Sequence, residues 1–492
     1  MKKYVRNIPN ASVLVNSMRS IGYDFESAVA DIIDNSITAK AQFIDILFPV
    51  GDEEERYLEF IDNGIGMNRD ELIEAMRFGS VKGERDKDDL GRFGLGLKTA
   101  SISQCKKFTT ISKKDGTING FSWDLDVLNY NKDWIMTELS DIQMKNIPNI
   151  ENYLNLESFT LVLWEKFDTL DKDLTISTTK NDIFAEKIET MNKHIALVFH
   201  RFLDSGLIIR SNYNKIQPLD PFLLKHEKTT SKAKQQLPTK DSKNNEVMVE
   251  MQVHILPYNK FLSPQDKEKI GGLDQIGKQG FYVYRNKRLM IHGTWFRIKA
   301  KSELYQNARI LVDIPNTLDD LWSIDVKKQT AIIPQSILVR LRTEVEDATN
   351  NSKKIHLHQG SVQTANGSVW KRKVNEHENN SVSYVIDYKS PILKKFTKNL
   401  NDTDLESLEK MISLIELSLP YIDIYNSVAQ KSQINSIDDK RHNGLLNLAI
   451  ELFKENKKTK NITDNQNIDE ICQYEPFLSA NIKDKLKEII NE

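Results

Sequence analysis

The chain has 492 residues, with 68 Lys and Arg against 70 Asp and Glu, a formal net charge of -2 that excludes a global electrostatic pull toward nucleic acid and leaves only a local basic face. Its two cysteines, Cys105 and Cys472, lie far apart, and its nine histidines do not cluster, which excludes a disulfide framework and a structural zinc site. The length suits about three domains.

The N-terminal stretch MKKYVRNIPNASV lacks an apolar signal core, and no apolar run approaches a membrane span, so the expectation is a soluble cytoplasmic protein with no membrane partner. Residues 24–40 then read as an amphipathic helix. Phe25, Ala28, Val29, Ile32, Ile33 and Ile37 keep the helical period, and Asp24 is placed to cap the N-terminus. AQFIDILF and YLEFID alternate as half-buried strands. A polar, glycine-dotted segment from Met67 to Gly96 is too long for an ordinary connection and reads as a lid or a disordered loop. FTTIS, FSWDLDVL and SFTLVLW are strand-like.

Farther on, a helix ends at HIALVFHRFL, and LIIRSNYNKIQPLDPF and VMVEMQVHIL follow as strand-rich pieces. The charged run EKTTSKAKQQLPTKDSKNNE between them is expected to be a solvated loop or hairpin tip. GFYVYRNKRLMI and ARILVDIP add strands, giving an α+β second domain over about 170–345. Residues 349–382, rich in Asn, Ser, Lys and His, read as a linker or mobile loop. Beyond them Leu405, Leu408, Ile412 and Ile415, then Leu445, Leu448, Ala449 and Leu452, have helical spacing, so the C-terminal part is expected to be mostly helical.

Three short patterns carry chemistry. Asp31 and Asn35 stand four apart on the first strong helix and share one stripe, a carboxylate that can polarise water beside an amide oxygen suited to Mg²⁺. DNGIGM, residues 62–67, closes a strand with a tight turn whose Asp62 can accept a hydrogen bond from an exocyclic amine. LGRFGLGLKTAS, residues 90–101, is not a P-loop, because Leu97 separates Gly96 from Lys98. Its glycines free backbone amides to face an anion, and a helix beginning near Leu97 adds its positive end. Taken singly, these patterns fit a solvated helix face, a plain hairpin turn and a common glycine-rich turn. Their order and spacing together are far more specific.

On those residues the N-terminal region resembles the GHKL ATPase superfamily of gyrase B, the large heat-shock chaperone ATPase, MutL and the histidine kinases. SVLVNSMRSIGYDFESAVADIIDNSITAKA and FGLGLKTAS look most like the MORC-type and MutL-like ATPases of bacterial restriction and phage-defence operons. The similarity continues through LVLWEKFD, FHRFLDSGLIIRSNYNKIQPLDPF, QGFYVYRNKRLMIHGTW and DDLWSIDVKKQT, over roughly residues 8–335.

The resemblance implies an α+β architecture with a Bergerat-type α/β sandwich at 1–168 (lid about 67–96), an S5-like transducer at 169–346, a linker or small extension at 347–400 and a helical region at 401–492. It makes Asn35 the magnesium ligand and Asp62 the adenine contact. Gly64, Gly66 and Met67 line the base pocket, and Thr160 reinforces it. Gly91, Gly94, Gly96 and Lys98 bind the phosphates as the lid closes, with Arg92, Phe93, Leu95 and Leu97 counted among the nucleotide-binding positions and Arg92 and Arg77 flanking the lid as charges that reach phosphate, stabilise the lid or stay solvated. Lys327 or Lys328 falls at the transducer lysine that reaches the γ-phosphate. Asp31 occupies the general-base position that most relatives fill with Glu, which implies slow hydrolysis. Phe159 stands where the threonine motif usually begins with Gly. The function implied is a Mg²⁺-dependent ATPase acting as an ATP-gated homodimeric clamp in DNA-directed defence, with DNA, a nuclease or other defence-operon proteins as partners. A nucleotide-binding interaction module with little turnover is the alternative.

Overall fold

A computed structural model describes residues 9–19, 23–51, 55–79, 96–169, 179–270, 272, 277–318, 335–363, 369–375, 381–398, 400–421, 424, 439–460, 462–473, 477 and 482–491. The chain divides into two compact units, residues 1–353 and 354–492.

The first unit opens with α1 (Ala11–Arg19) and α2 (Phe25–Thr38). Asp24 caps α2 by accepting a hydrogen bond from the Ser27 amide at 2.7 Å, as its position before the apolar period predicts. Strands β1 (Phe43–Leu47) and β2 (Leu58–Asp62) follow, then α3 (Arg69–Met76), α4 (Gly96–Gln104), β3 (Lys107–Lys114), β4 (Thr117–Asp124), α5 (Leu125–Asn131), β5 (Thr137–Glu138), α6 (Asp141–Lys145) and β6 (Phe159–Glu165). After α7 (Lys180–Val198) and α8 (His200–Asp204) the chain returns to the same sheet as β7 (Ile208–Ser211) and β8 (Asn214–Lys215). The sheet order is β5-β4-β3-β6-β2-β1-β7-β8, antiparallel except where β1 meets β7. Residues 208–215, assigned from sequence to the second domain, thus lie on the first sheet, and the expected division at 168 cuts across it.

Two cores cover the two faces of this sheet. On one, α2, α4 and α7 bury Ala28, Val29, Ile32, Ile33, Ala100 and Ile195 against Phe60, Phe108 and Trp164. On the other, Met144, Ile150 and Tyr153 cover Leu47, Ile61, Ile111 and Leu161. Strand β2 is therefore buried along its whole length, not half-buried as its alternation suggested. Glu59, caught on the second face, accepts a 2.7 Å hydrogen bond from Asn149, and burial pushes its carboxyl up to about 8. FSWDLDVL also departs from expectation: its first half is β4, but Asp124 accepts from the Asp126 amide and starts α5.

The second sheet holds β9 (Thr230–Ser231), β10 (Gln235–Lys240), β11 (Glu246–Ile255), β12 (Gly280–Arg285), β13 (Arg288–Thr294) and β14 (Ala308–Ile314), with α9 (Pro264–Lys269) between β11 and β12. Its order is β10-β11-β14-β12-β13, with β9 also on β11. Only 241–245 of the charged run is the expected hairpin tip. Thr230–Ser231 and Gln235–Lys240 within it form β9 and β10, because backbone pairing to β11 holds strands whose exposed faces are polar. Trp295 is buried and its indole donates to Gln279 Oε1 at 3.0 Å, a core role matching that of Trp164 in the first sheet.

Helix α10 (Gln335–Gln363) runs well past residue 349, and β15 (Trp370–Asn375) pairs with β16 (Ser381–Ile386), so much of the expected linker is regular structure. Composition alone missed it, since a two-stranded pairing needs few apolar residues. In the second unit α11 (Pro391–Thr397) and α12 (Asp402–Leu417) follow, then helices Asp439–Thr459, Asp464–Cys472 and Lys483–Asn491. The last three pack Ala449, Phe453, Ile468, Ile471 and Leu486 into a small core, matching the helical reading. Cys105 and Cys472 are both buried and free.

Candidate functional site

Strand register builds the first half of the site. Antiparallel pairing sets Asp62, the last residue of β2, opposite Thr160 of β6, and Thr160 in turn opposite Ser112 of β3. Thr160 and Ser112 hydroxyls lie 3.0 Å apart, and Ser112 also donates to the Phe159 carbonyl at 2.9 Å. Period two turns Asp62 to the same face as Phe60, toward α2. There it is buried and accepts from the Ser36 hydroxyl at 2.7 Å and the Gly64 amide at 2.9 Å. Burial pushes its carboxyl up to about 6, with those two hydrogen bonds acting in the opposite direction.

The DNGIGM turn is locked by close backbone approach. Asn63 Oδ1 accepts from the Gln42 and Phe43 amides, each at 2.9 Å, and the Ile65 amide donates to the Ala39 carbonyl at the end of α2. A Cβ at Gly64 would lie 2.7 Å from that of Ala39. Gly66 has φ +64°, and a Cβ there would meet the Lys113 carbonyl oxygen at 2.0 Å, so no side chain fits. The Met67 amide ends the turn by donating to Ser112 Oγ at 2.8 Å.

The second half lies along α2 and the start of α4. Asp31 is buried and Asn35, one turn on, is exposed. The Tyr23 hydroxyl donates to Asp31 Oδ2 at 3.0 Å, and burial together with the Asp31 charge pushes that phenol upward. Gly96 opens α4 beside the same carboxylate, its Cβ position 3.7 Å from Asp31 Oδ2. Leu97 packs half-buried on the core. Lys98 is buried, and its ammonium donates to the Ala75 carbonyl at the end of α3 at 2.9 Å. The structure thus seats that ammonium against a helix C-terminus, where a cation is favoured. Gly91, Arg92, Phe93, Gly94, Leu95, Lys327 and Lys328 lie outside the described residues, as does Trp322. Arg77 is exposed and pairs with Glu74 at 3.0 Å.

Five side chains at the site are not among those the sequence patterns mark: Tyr23, Asp34, Ser36, Ser112 and Arg288. Ser36 carried a usable signal, being a hydroxyl next to Asn35 on the same helix. Asp34, buried beside Asp31, is met by Arg288, whose Nε lies 2.8 Å from Asp34 Oδ1 while Nη2 lies 3.8 Å from Asp31 Oδ1. Arg288 belongs to the second sheet, and no local pattern announces that pairing.

Among the described residues no group of three His, Cys, Asp or Glu is placed to hold a metal ion. A magnesium ion here would have Asn35 as its exposed protein oxygen and would need ligand phosphates to complete its shell, the way Mg²⁺ commonly binds. No helix among the described residues is long and apolar enough to cross a membrane.

Comparison with known proteins bears on this geometry. Residues 23–155 match the family described as histidine kinase-, DNA gyrase B-, and HSP90-like ATPase. The chain is 32% identical over 116 residues to ATPase morc-1 of Caenorhabditis elegans, covering 23% of this chain and 13% of that protein. It is 32% identical over 104 residues to the DNA mismatch repair protein MutL of Chlorobium phaeobacteroides, covering 20% and 16%. The chain therefore spans less than a fifth of either relative. The ATPase and transducer domains of DNA topoisomerase II from Balamuthia mandrillaris superpose with TM-score 0.36 at 13% identity, covering 68% of this chain and 86% of that one. The motif order of α2, the DNGIGM turn and α4 lies wholly within residues 23–155, the segment that is similar to the histidine kinase-, DNA gyrase B- and HSP90-like ATPase family.

Proposed function

We propose that this chain binds ATP with Mg²⁺, hydrolyses it slowly, and uses the nucleotide to gate closure of a homodimeric clamp. The observation that carries the reading is the meeting of Asp31, Asn35, Asp62 and the N-terminus of α4 around one side of the sheet. Ionised Asp62 accepts the exocyclic amine of adenine, with Thr160, Gly64, Gly66 and Met67 lining the base. Asn35 supplies its amide oxygen to magnesium, which screens phosphate charge when bound. The amides at Gly96 and Leu97 and the positive end of α4 face the phosphates, with Lys98 and the Gly91 to Leu95 segment closing over them. Asp31 takes the proton of the attacking water. Lys327 or Lys328 reaches the γ-phosphate, so that the closed state has contacts ADP lacks.

The division into a nucleotide domain, a transducer, a linker and a helical C-terminal region is part of this proposal. So is its setting, a DNA-directed restriction or phage-defence system with a nuclease or another operon protein as partner, which rests on resemblance alone. A second reading, a nucleotide-binding interaction module with little turnover, is favoured by one observation: Asp31 already accepts from Tyr23. Single-turnover hydrolysis by the native chain and by Asp31→Ala separates the two. The native chain is expected to exceed the variant by about 100-fold or more, the scale of a positioned general base. Equal rates would leave the binding module. Gel filtration with ADP against a non-hydrolysable ATP analogue tests the clamp, for which the analogue doubles the mass.

A further inference from the structure

We propose that Arg288 is the positioning residue for Asp31, tying the carboxylate assigned to proton abstraction to the second sheet; this rests on the hydrolysis reading above. The guanidinium is only 4% exposed, and a buried charge of that kind is costly unless it is paired. Its acidic neighbours stand three apart on α2 and so share a face. Nε approaches Asp34 Oδ1 at 2.8 Å and Nη2 approaches Asp31 Oδ1 at 3.8 Å. Nη1 donates to Met290 Sδ at 3.3 Å, and Cζ sits 5.7 Å from the centre of the Phe199 ring. Asp31 Oδ2 is held from the other side by Tyr23. Tyr23, just before α2, and Arg288, from the second sheet, thus approach the two oxygens of the Asp31 carboxylate from different elements.

The support behind Arg288 is stiff. It opens β13 directly after a two-residue turn, Asn286 and Lys287, both in the left-handed region at φ +46° and +68°, the conformation of a tight hairpin. Strand β12 of that hairpin runs parallel to β14. Aspartate is one methylene shorter than the usual glutamate, and a guanidinium standing beside both α2 carboxylates limits where the Asp31 side chain settles.

The test is steady-state ATP hydrolysis, melting temperature and affinity for a non-hydrolysable ATP analogue, measured on the full chain, Arg288→Lys, and the double variant Arg288→Met with Asp34→Asn. The double variant leaves no unpaired charge of this couple buried, so a role confined to neutralising Asp34 predicts wild-type kcat. Positioning predicts kcat lower by about 10- to 100-fold with analogue affinity and melting temperature near wild type. Arg288→Lys keeps the charge without the fork, and a several-fold loss of kcat at unchanged analogue affinity is expected. This variant decides the matter if the double variant fails to fold. Wild-type kcat in the folded variants overturns the inference while the ATPase reading stands. A native rate no higher than that of Asp31→Ala overturns both.

Discussion

The surroundings of Asp62, proposed to hold the base, and those of Asp31, proposed to face the phosphates, are built by different means. Around Asp62, strand register and backbone approach set most of the contacts: Thr160 falls opposite it, Ser112 falls opposite Thr160, Gly64 and Gly66 admit no side chain, and α2 adds only the Ser36 hydroxyl. Around Asp31, the partners arrive from separate elements, Tyr23 from before α2, Gly96 from α4 and Arg288 from another sheet. A pocket made by register tolerates little change, whereas one assembled from separate elements changes whenever those elements shift against one another.

The largest effect that sharpens this contrast is expected at Gly66. Gly66→Ala places a methyl 2.0 Å from the Lys113 carbonyl in a left-handed conformation, costing about 3 kcal/mol or more of stability and the adenine pocket with it. Thermal unfolding with and without ATP checks this, and a near-wild-type melting curve would show that the turn is softer than its contacts imply.

A smaller, pH-dependent effect is expected at Asp62. Its folded value near 6 lies above the ordinary 3.8, so the folded state holds the proton longer than the unfolded one. Its contribution to folding stability therefore declines as pH rises from about 3.8 through 6, while its capacity to accept an amine grows over the same range. Adenosine affinity is expected to weaken about tenfold from pH 7 to pH 5, and Asp62→Asn to be weaker throughout and flat with pH. Calorimetric titration at a series of pH values reads both.

Lys98→Met is expected to act least on the fold. Losing the bond to the Ala75 carbonyl costs about 1 kcal/mol, and adenosine affinity is unchanged because the base end does not depend on it. ATP affinity is expected to fall about tenfold if the ammonium leaves Ala75 for phosphate. Equal loss for adenosine and ATP would break the separation of the two ends.

How much of this was legible depended on whether the determinant was local. The helix with Asp24 as its cap, the strand ending in Asp62 and the start of α4 could be read directly, since cap, alternation and glycine spacing are short-range signals. Arg288 could not, because nothing in YRNKRLMI says which helix its hairpin will face. Full burial of β2 was equally hidden: the segment covering its second face, with Met144, Ile150 and Tyr153, has little periodicity of its own. The seat of Lys98 beneath α3 was missed because a lysine after a glycine-rich turn reads as a phosphate contact, and only packing reveals a helix end within its reach.

The parallel strand β7 has a practical corollary for anyone dissecting this chain. Ile208–Ser211 supplies the outer pairing of β1, and Arg210 from it forms a forked pair with Asp45, at 2.5 and 2.6 Å, whose carboxylate is fully buried beside the Tyr153 hydroxyl. A fragment ending at residue 168 strips that guanidinium away, strands a charge in the interior and bares a raw strand edge. A fragment that keeps the first sheet whole must extend at least through β8.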